Sequence, residues 1–320
     1  MMSHKLHSTA ADGRVADATD ANWVDRFAPP RARPWLRLSR ADRPAGTWLL
    51  LIPCWWGLML AAAADPAGLR WEDAWIFGVC AIGAFLMRGA GCTWNDVTDR
   101  HIDGSVARTR SRPIPSGQVT VKGALLWMVV QALVAFGLLL TLAPAAIWLG
   151  VISLVPVCIY PFMKRVTWWP QVFLGVAFNW GALLAWAAHS GSLSIAPVLL
   201  YLGGMAWTIF YDTIYAFQDK EDDALIGVKS TARLFGENAR PRLLAWLLAA
   251  AALTATAVLA ALTGAALALG LLGVLGFAAR LGWQWRRLSI DDTDLCLMLF
   301  RDNRNAGLIL FTGLALAALI

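Results

Sequence analysis

Nine long apolar runs follow one another along this chain, at residues 45–64, 72–94, 121–141, 143–162, 170–189, 195–216, 241–263, 264–284 and 304–320. Each is close to the ~20 residues that a helix needs to cross the hydrocarbon core of a bilayer. In lipid no water is present to satisfy backbone groups, so runs of this length form helices. Composition agrees: the chain is 58% hydrophobic and 15% charged, against about 25% charged in a soluble domain. The expected fold is all-α, a polytopic membrane helix bundle of about nine spans. The pairs 121–141/143–162 and 241–263/264–284 have almost no connection between them and read as tight hairpins, punctuated by Pro144 and Gly264.

Charge then orients the chain. With the N-terminal side called inside and crossings counted, only Arg70 of the 27 Lys and Arg residues falls outside. This asymmetry is the positive-inside signal of a membrane protein. It accounts for the net charge of +6 without nucleic acid. It supports nine spans with the C-terminus outside; eight spans would flip only that end. The inside is expected to be the cytoplasm of a bacterium, and the membrane its inner membrane. Residues 1–40 read as a disordered cytoplasmic tail. They contain no apolar core for a signal peptide, and Asp12, Asp17, Asp20 and Asp25 weaken a transit-peptide reading. The five cysteines are scattered and form no CxxC, so they read as small buried hydrophobes.

Two inside loops, 95–120 and 217–240, are long and acidic. The first follows span two and the second span six, and function is expected on the inside face where the two loops can meet. In the first, Asn95, Asp99 and Asp103 are four residues apart, with Asp96 beside them. If span two continues as a helix, they share one face. In the second, Asp219 and Asp223 are also four apart, and Asp212 lies seven before Asp219; all three are expected on one helical face. Like charges at this spacing repel, and a low-dielectric membrane interior raises the cost. A divalent cation relieves it, and Mg²⁺ takes oxygen ligands, usually one or two carboxylates plus substrate phosphates. The competing reading is a solvated acidic cap. Arg108, Arg110 and Arg112 follow the first cluster and Lys229 follows the second. They either obey the positive-inside rule or grip diphosphate oxygens.

The two loops together resemble the signatures of the UbiA family of membrane aromatic prenyltransferases. The first match is Asn95-Asp96-x-x-Asp99-x-x-x-Asp103 with Arg108-Thr-Arg-Ser-Arg-Pro-Ile-Pro-Ser-Gly117. The second is Tyr211-Asp212 through Asp219-Lys-Glu-Asp-Asp223, then Gly227-Val-Lys-Ser-Thr-Ala-Arg-Leu-Phe-Gly236. Arg43-Pro-x-Gly-Thr-Trp, Met87-Arg88-Gly-Ala-Gly-Cys-Thr-Trp and Tyr160-Pro-Phe-Met-Lys164-Arg165 are similar to the 4-hydroxybenzoate branch. Glu221 stands where an Asp is common. The motifs cover about residues 40–240; beyond 241 the likeness is one of hydropathy.

The resemblance implies a single domain over 41–320, helices around a central cavity open to lipid, and Mg²⁺-dependent transfer of a prenyl chain from polyprenyl diphosphate to 4-hydroxybenzoate in ubiquinone biosynthesis. It assigns Asn95, Asp96, Asp99, Asp103, Asp219 and Asp223 to the metal. Arg108, Arg110 and Lys229 are expected at the diphosphate. The acceptor carboxylate needs a cation: Arg88, seven residues before Asn95 and so on the same face, is first, followed by Arg43 and Lys164. Arg88 pairing with the acidic cluster is the equal alternative. Asp212 is expected to take the phenol proton or to orient a partner. Gln131 and Asn179, polar groups within spans, read as interhelical hydrogen-bonding residues. Rival functions are transfer to naphthoate, homogentisate or haem, and cation transport, which would place its acids near the midplane. Nothing in the sequence marks an obligate protein partner.

Overall fold

The computed structural model describes Ala18 and residues 22–105 and 109–320. Every regular element among them is helical, and the chain divides into two compact units. Among the described residues, eight helices are long and apolar enough to cross a membrane.

The first unit comprises residues 1–47 and 83–137. It opens with two short helices, α1 (Trp23–Phe27) and α2 (Arg33–Leu38). They lie inside the segment 1–40 expected as a disordered tail, and that expectation fails from residue 22 onward. The reason is apolar burial: Val24, Ala28 and Ala41 pack together with Leu36 against them. Leu38 joins Val97, Ile114, Val119 and Ala124 in a second cluster, edged by Trp35, Val121, Leu125 and Trp127. The helix α3 (Ala45–Ala64) begins in this unit. The second span, α4 (Trp71–Ser105), continues well past the apolar run 72–94 and ends here. Most of α5 (Val121–Leu139) belongs here too. Gln131 bonds Ser39, whose hydroxyl donates to its Oε1 at 3.0 Å. Trp127 Nε1 donates to the same hydroxyl at 2.8 Å. Gln131 therefore ties its span to Ser39, the residue that caps α2 before the first span.

The second unit comprises residues 48–82 and 138–320. The fourth apolar run is two helices, α6 (Pro144–Ile152) and α7 (Leu154–Val166), meeting at Ser153. Pro156 explains the break, because a proline ring collides with the carbonyl four residues earlier, here that of Ile152. Then come α8 (Pro170–Ser190) and α9 (Ile195–Ala216), a 3₁₀ turn over Phe217–Asp219, and the short α10 (Lys220–Ile226) and α11 (Thr231–Phe235). Three long helices follow: α12 (Ala239–Ala261), α13 (Gly264–Arg287) and α14 (Thr293–Ala318). The last is a 26-residue helix, but Asp294, Arg301, Asp302 and Arg304 occupy its first half. It is not among the eight helices apolar enough to span.

The second unit is sealed by aromatic rings. Trp56, Trp207 and Phe277 are fully buried and mutually in contact, with centroid separations of 4.9–5.7 Å. Each indole N–H is satisfied, Trp56 by the carbonyl of Gly307 at 2.9 Å and Trp207 by Asn303 Oδ1 at 2.8 Å. Asn179 Nδ2 donates to Thr208 Oγ1 at 2.8 Å, the α8–α9 bond expected for a polar group within a span. At the ends of their helices Arg70 pairs with Asp65, and His189 Nδ1 meets Asp73 at 2.7 Å.

Candidate active site

The first acidic motif stands on one uninterrupted helix. Because α4 runs to Ser105, Asn95, Asp99 and Asp103 do lie one turn apart on one face. Asp96 and Asp99 are fully buried, Asp103 is nearly so, and Asn95 is half-buried. Four neighbouring polar groups out of water require partners, and two arginines supply them, Arg40 from before the first span and Arg112 from the loop after α4. Arg40 donates to Asp96 Oδ1 at 2.5 Å. Arg112 donates to Asp103 Oδ2 at 2.7 Å and reaches Asp96 Oδ1 at 3.4 Å. Thr109 Oγ1 donates to the carbonyl of Asp103 at 2.9 Å, closing the chain back onto the end of α4.

Asp96 and Asp103 thus carry ion pairs here, and Arg112 holds carboxylates where sequence reasoning offered it diphosphate oxygens or mere topology. Arg40 had no signal of its own among the arginines flanking the first span. It is buried and adopts φ 58°, a left-handed backbone rare outside glycine. Burial works against its charge, but Asp96 outweighs that and holds the guanidinium protonated beyond the ordinary arginine range. Burial pushes the Asp103 carboxyl up, against the pull of Arg112. Next to Arg40, burial pushes Asp42 up to about 6.

The remaining predicted residues of this unit separate. Arg43 Nε lies 3.3 Å from Asp42 Oδ1. The guanidinium of Arg88, half-buried on α4, lies against Gly46 at the start of α3. A Cβ at position 46 would strike it, so only glycine leaves that room. Arg110 is exposed, and Arg108 lies outside the described residues.

The second motif belongs to the second unit. Asp212 is half-buried on α9, and a 3₁₀ turn over Phe217–Asp219 lies between α9 and the helix that carries Asp223. Asp219 sits at the N-cap of α10, with Asp223 one turn beyond. Gly227, at φ 76°, ends the helix. The loop that follows is pinned to the end of α7. Lys229 N donates to the carbonyl of Lys164 at 2.9 Å, and Lys229 Nζ to that of Val166 at 3.0 Å. Thr231 N donates to Gln171 Oε1 at 3.1 Å, and Arg233 lies 5.3 Å over the Trp168 ring. Lys164 and Lys229, distant in sequence, are therefore neighbours.

Mg²⁺ fits this chemistry. The two motifs offer hard carboxylate oxygens, and buried Asp96 Oδ2 has no hydrogen-bond partner among the described residues. Among those residues no three acids, His or Cys stand close enough to cage a metal unaided. Mg²⁺ bound through one or two carboxylates and a substrate phosphate does not need such a cage.

A polytopic all-helical membrane protein with two acidic motifs, each beginning at the end of an apolar helix, is the class that fold and site define. The chain belongs to the UbiA prenyltransferase family, which matches residues 50–312 and so reaches past residue 240, where the motifs end. It is 43% identical over 340 residues to the mitochondrial 4-hydroxybenzoate polyprenyltransferase of Aedes aegypti, covering 99% of this chain and 73% of that one. To the Rattus norvegicus protein of the same name it is 45% identical, over 96% of this chain and 80% of the relative. To the Homo sapiens protein it is 44% identical, over 96% and 81%. Among solved structures, an apo UbiA homologue from Aeropyrum pernix K1 has a TM-score of 0.64 at 25% identity, over 84% of this chain and 97% of that one. A UbiA homologue from Archaeoglobus fulgidus bound to GPP and Mg²⁺ shares the fold, with a TM-score of 0.65 at 16% identity over 90% and 100%.

Proposed function

We propose that this chain is a 4-hydroxybenzoate polyprenyltransferase, transferring a polyprenyl chain from its diphosphate to the ring carbon ortho to the hydroxyl. The observation that carries the reading is identity of 43–46% to eight proteins of that name across animals and a plant, along nearly the whole chain. That identity supports hydroxybenzoate over naphthoate, homogentisate or haem. The family match speaks against cation transport.

Asn95, Asp96, Asp99 and Asp103 from the first motif, with Asp219 and Asp223 from the second, would hold Mg²⁺. When bound, the ion neutralises charge on the diphosphate as a Lewis acid. Arg108, Arg110 and Lys229 donate N–H bonds to the diphosphate oxygens as the allylic carbon–oxygen bond breaks and the diphosphate leaves with the electron pair. The ortho ring carbon attacks the allylic cation, and its proton passes to the released diphosphate, which restores aromaticity. Arg88 meets the acceptor carboxylate, with Arg43 and Lys164 as further cations near the substrates. Asp212 takes the phenol proton or orients its acceptor. The prenyl chain is apolar and needs an apolar slot open to lipid, for which the spans supply the side chains.

The charge asymmetry supports both motifs facing the cytoplasmic side; we place the chain in a bacterial inner membrane, although the relatives above are mitochondrial by name. The test is transfer from a radiolabelled polyprenyl diphosphate by purified protein, with 4-hydroxybenzoate, a naphthoate and homogentisate as competing acceptors. Labelled product from 4-hydroxybenzoate alone is expected. Product from another acceptor at equal or higher rate would reject the assignment.

A further inference from the structure

The segment before the first span presents rings to its surroundings where a soluble tail would present polar groups. Phe27 is 79% exposed and Trp23 47%. They stand four residues apart on α1, hence on one face. The adjoining side of α1 is fastened inward by Val24, which is fully buried against Ala28 and Ala41. The helix therefore cannot roll to hide its rings.

Depth is fixed by a hydrogen bond. Trp23 Nε1 donates to the carbonyl of Ala41 at 2.9 Å, and Ala41 lies four residues before α3 enters as the first span at Ala45. The Trp23 ring is thus tied to the inside boundary of a transmembrane helix, the level at which amphipathic rings settle. The exposed charged side chains from Trp23 to Arg31 are arginines. Arg26 and Arg31 are exposed and make no ion pair among the described residues. The nearby acid, Asp25, is already taken by Arg37 at 2.8 Å and by Asn22.

We propose that the segment from Trp23 to Arg31 is an interfacial anchor. In it Trp23 and Phe27 enter the boundary between headgroups and acyl chains of the inside leaflet, and Arg26 and Arg31 bind the phosphates of anionic phospholipids. Such helices combine apolar burial with attraction to anionic lipid. The anchored segment leads through α2 to Arg40, which pairs with Asp96 of the first motif. The lipid surface would thereby brace the acids from behind.

The test is spin-label depth measurement on full-length protein in nanodiscs. Cys158, the exposed cysteine, is replaced by serine. A label is placed at Phe27→Cys, with Ser116→Cys as an aqueous control and Leu133→Cys, 62% exposed on α5, as a lipid control. In discs containing phosphatidylglycerol, the ratio of oxygen to nickel-chelate collision at position 27 is expected to lie nearer the lipid control. Adding Arg26→Gln and Arg31→Gln should move it toward water in those discs, with no movement in pure phosphatidylcholine. A ratio equal to the aqueous control would overturn the anchor. Dipolar broadening between labels would also overturn it, because a second copy would then cover the rings. A depth indifferent to both arginines would overturn the headgroup assignment.

Discussion

Arg40 and Asp96 form an ion pair of 2.5 Å with side-chain exposures of 7% and 0%, at the point where the first acidic motif begins. Breaking a buried pair from one side strands a charge in low dielectric, which costs about 3–5 kcal/mol. Arg40→Ala should therefore lower the thermal midpoint in detergent markedly. Arg40→Met with Asp96→Leu should recover much of the loss, because no charge is left unpaired. Fluorescence-detected size exclusion after heating reads both. Equal loss in the single and double variants would show that packing, not charge, sets the cost.

If the two acidic motifs act on one diphosphate, each is indispensable. Asp99→Asn and Asp219→Asn should each cost at least about 100-fold in prenyl transfer, the scale of losing a charge-stabilising group, with little change in thermal midpoint for half-buried Asp219. Chelating divalent metal should abolish transfer, and added Mg²⁺ should restore it. Transfer surviving all three treatments would remove the metal assignment.

Gly46 leaves room for the guanidinium of Arg88. Gly46→Ala places a Cβ against the tip of a flexible side chain, so the fold should survive while Arg88 is displaced. If Arg88 receives the acceptor carboxylate, KM for 4-hydroxybenzoate should rise about tenfold, the scale of one weakened charge-assisted hydrogen bond. KM for the prenyl diphosphate should not move. A rise in the latter instead would assign Arg88 to the acidic cluster.

Asp42 links stability to pH. Burial raises its carboxyl from 3.8 to about 6, so between these values the folded protein keeps a proton that the unfolded chain has released. Its contribution is fully present below 3.8 and is lost as pH rises through 6. Asp42→Asn should flatten the fall of the thermal midpoint between about pH 4 and 7, a difference of several degrees for a chain of this size. Parallel curves for the two proteins would remove Asp42 as the cause.

The sequence carried the membrane-spanning helices and the family, because hydropathy and motif spacing are local quantities that need no packing to be read. The positions of Asn95, Asp99 and Asp103 on one face followed from a period, and α4 keeps that period to Ser105. The 3₁₀ turn over Phe217–Asp219 had no sequence punctuation to mark it. Only tertiary structure picked Arg40 and Arg112 from many inside arginines as partners of Asp96 and Asp103, brought Lys229 beside Lys164, and made helices of a segment read as tail. Each of these depends on which distant side chains share a buried volume. Desolvation acts on that volume, and no window of sequence encodes it.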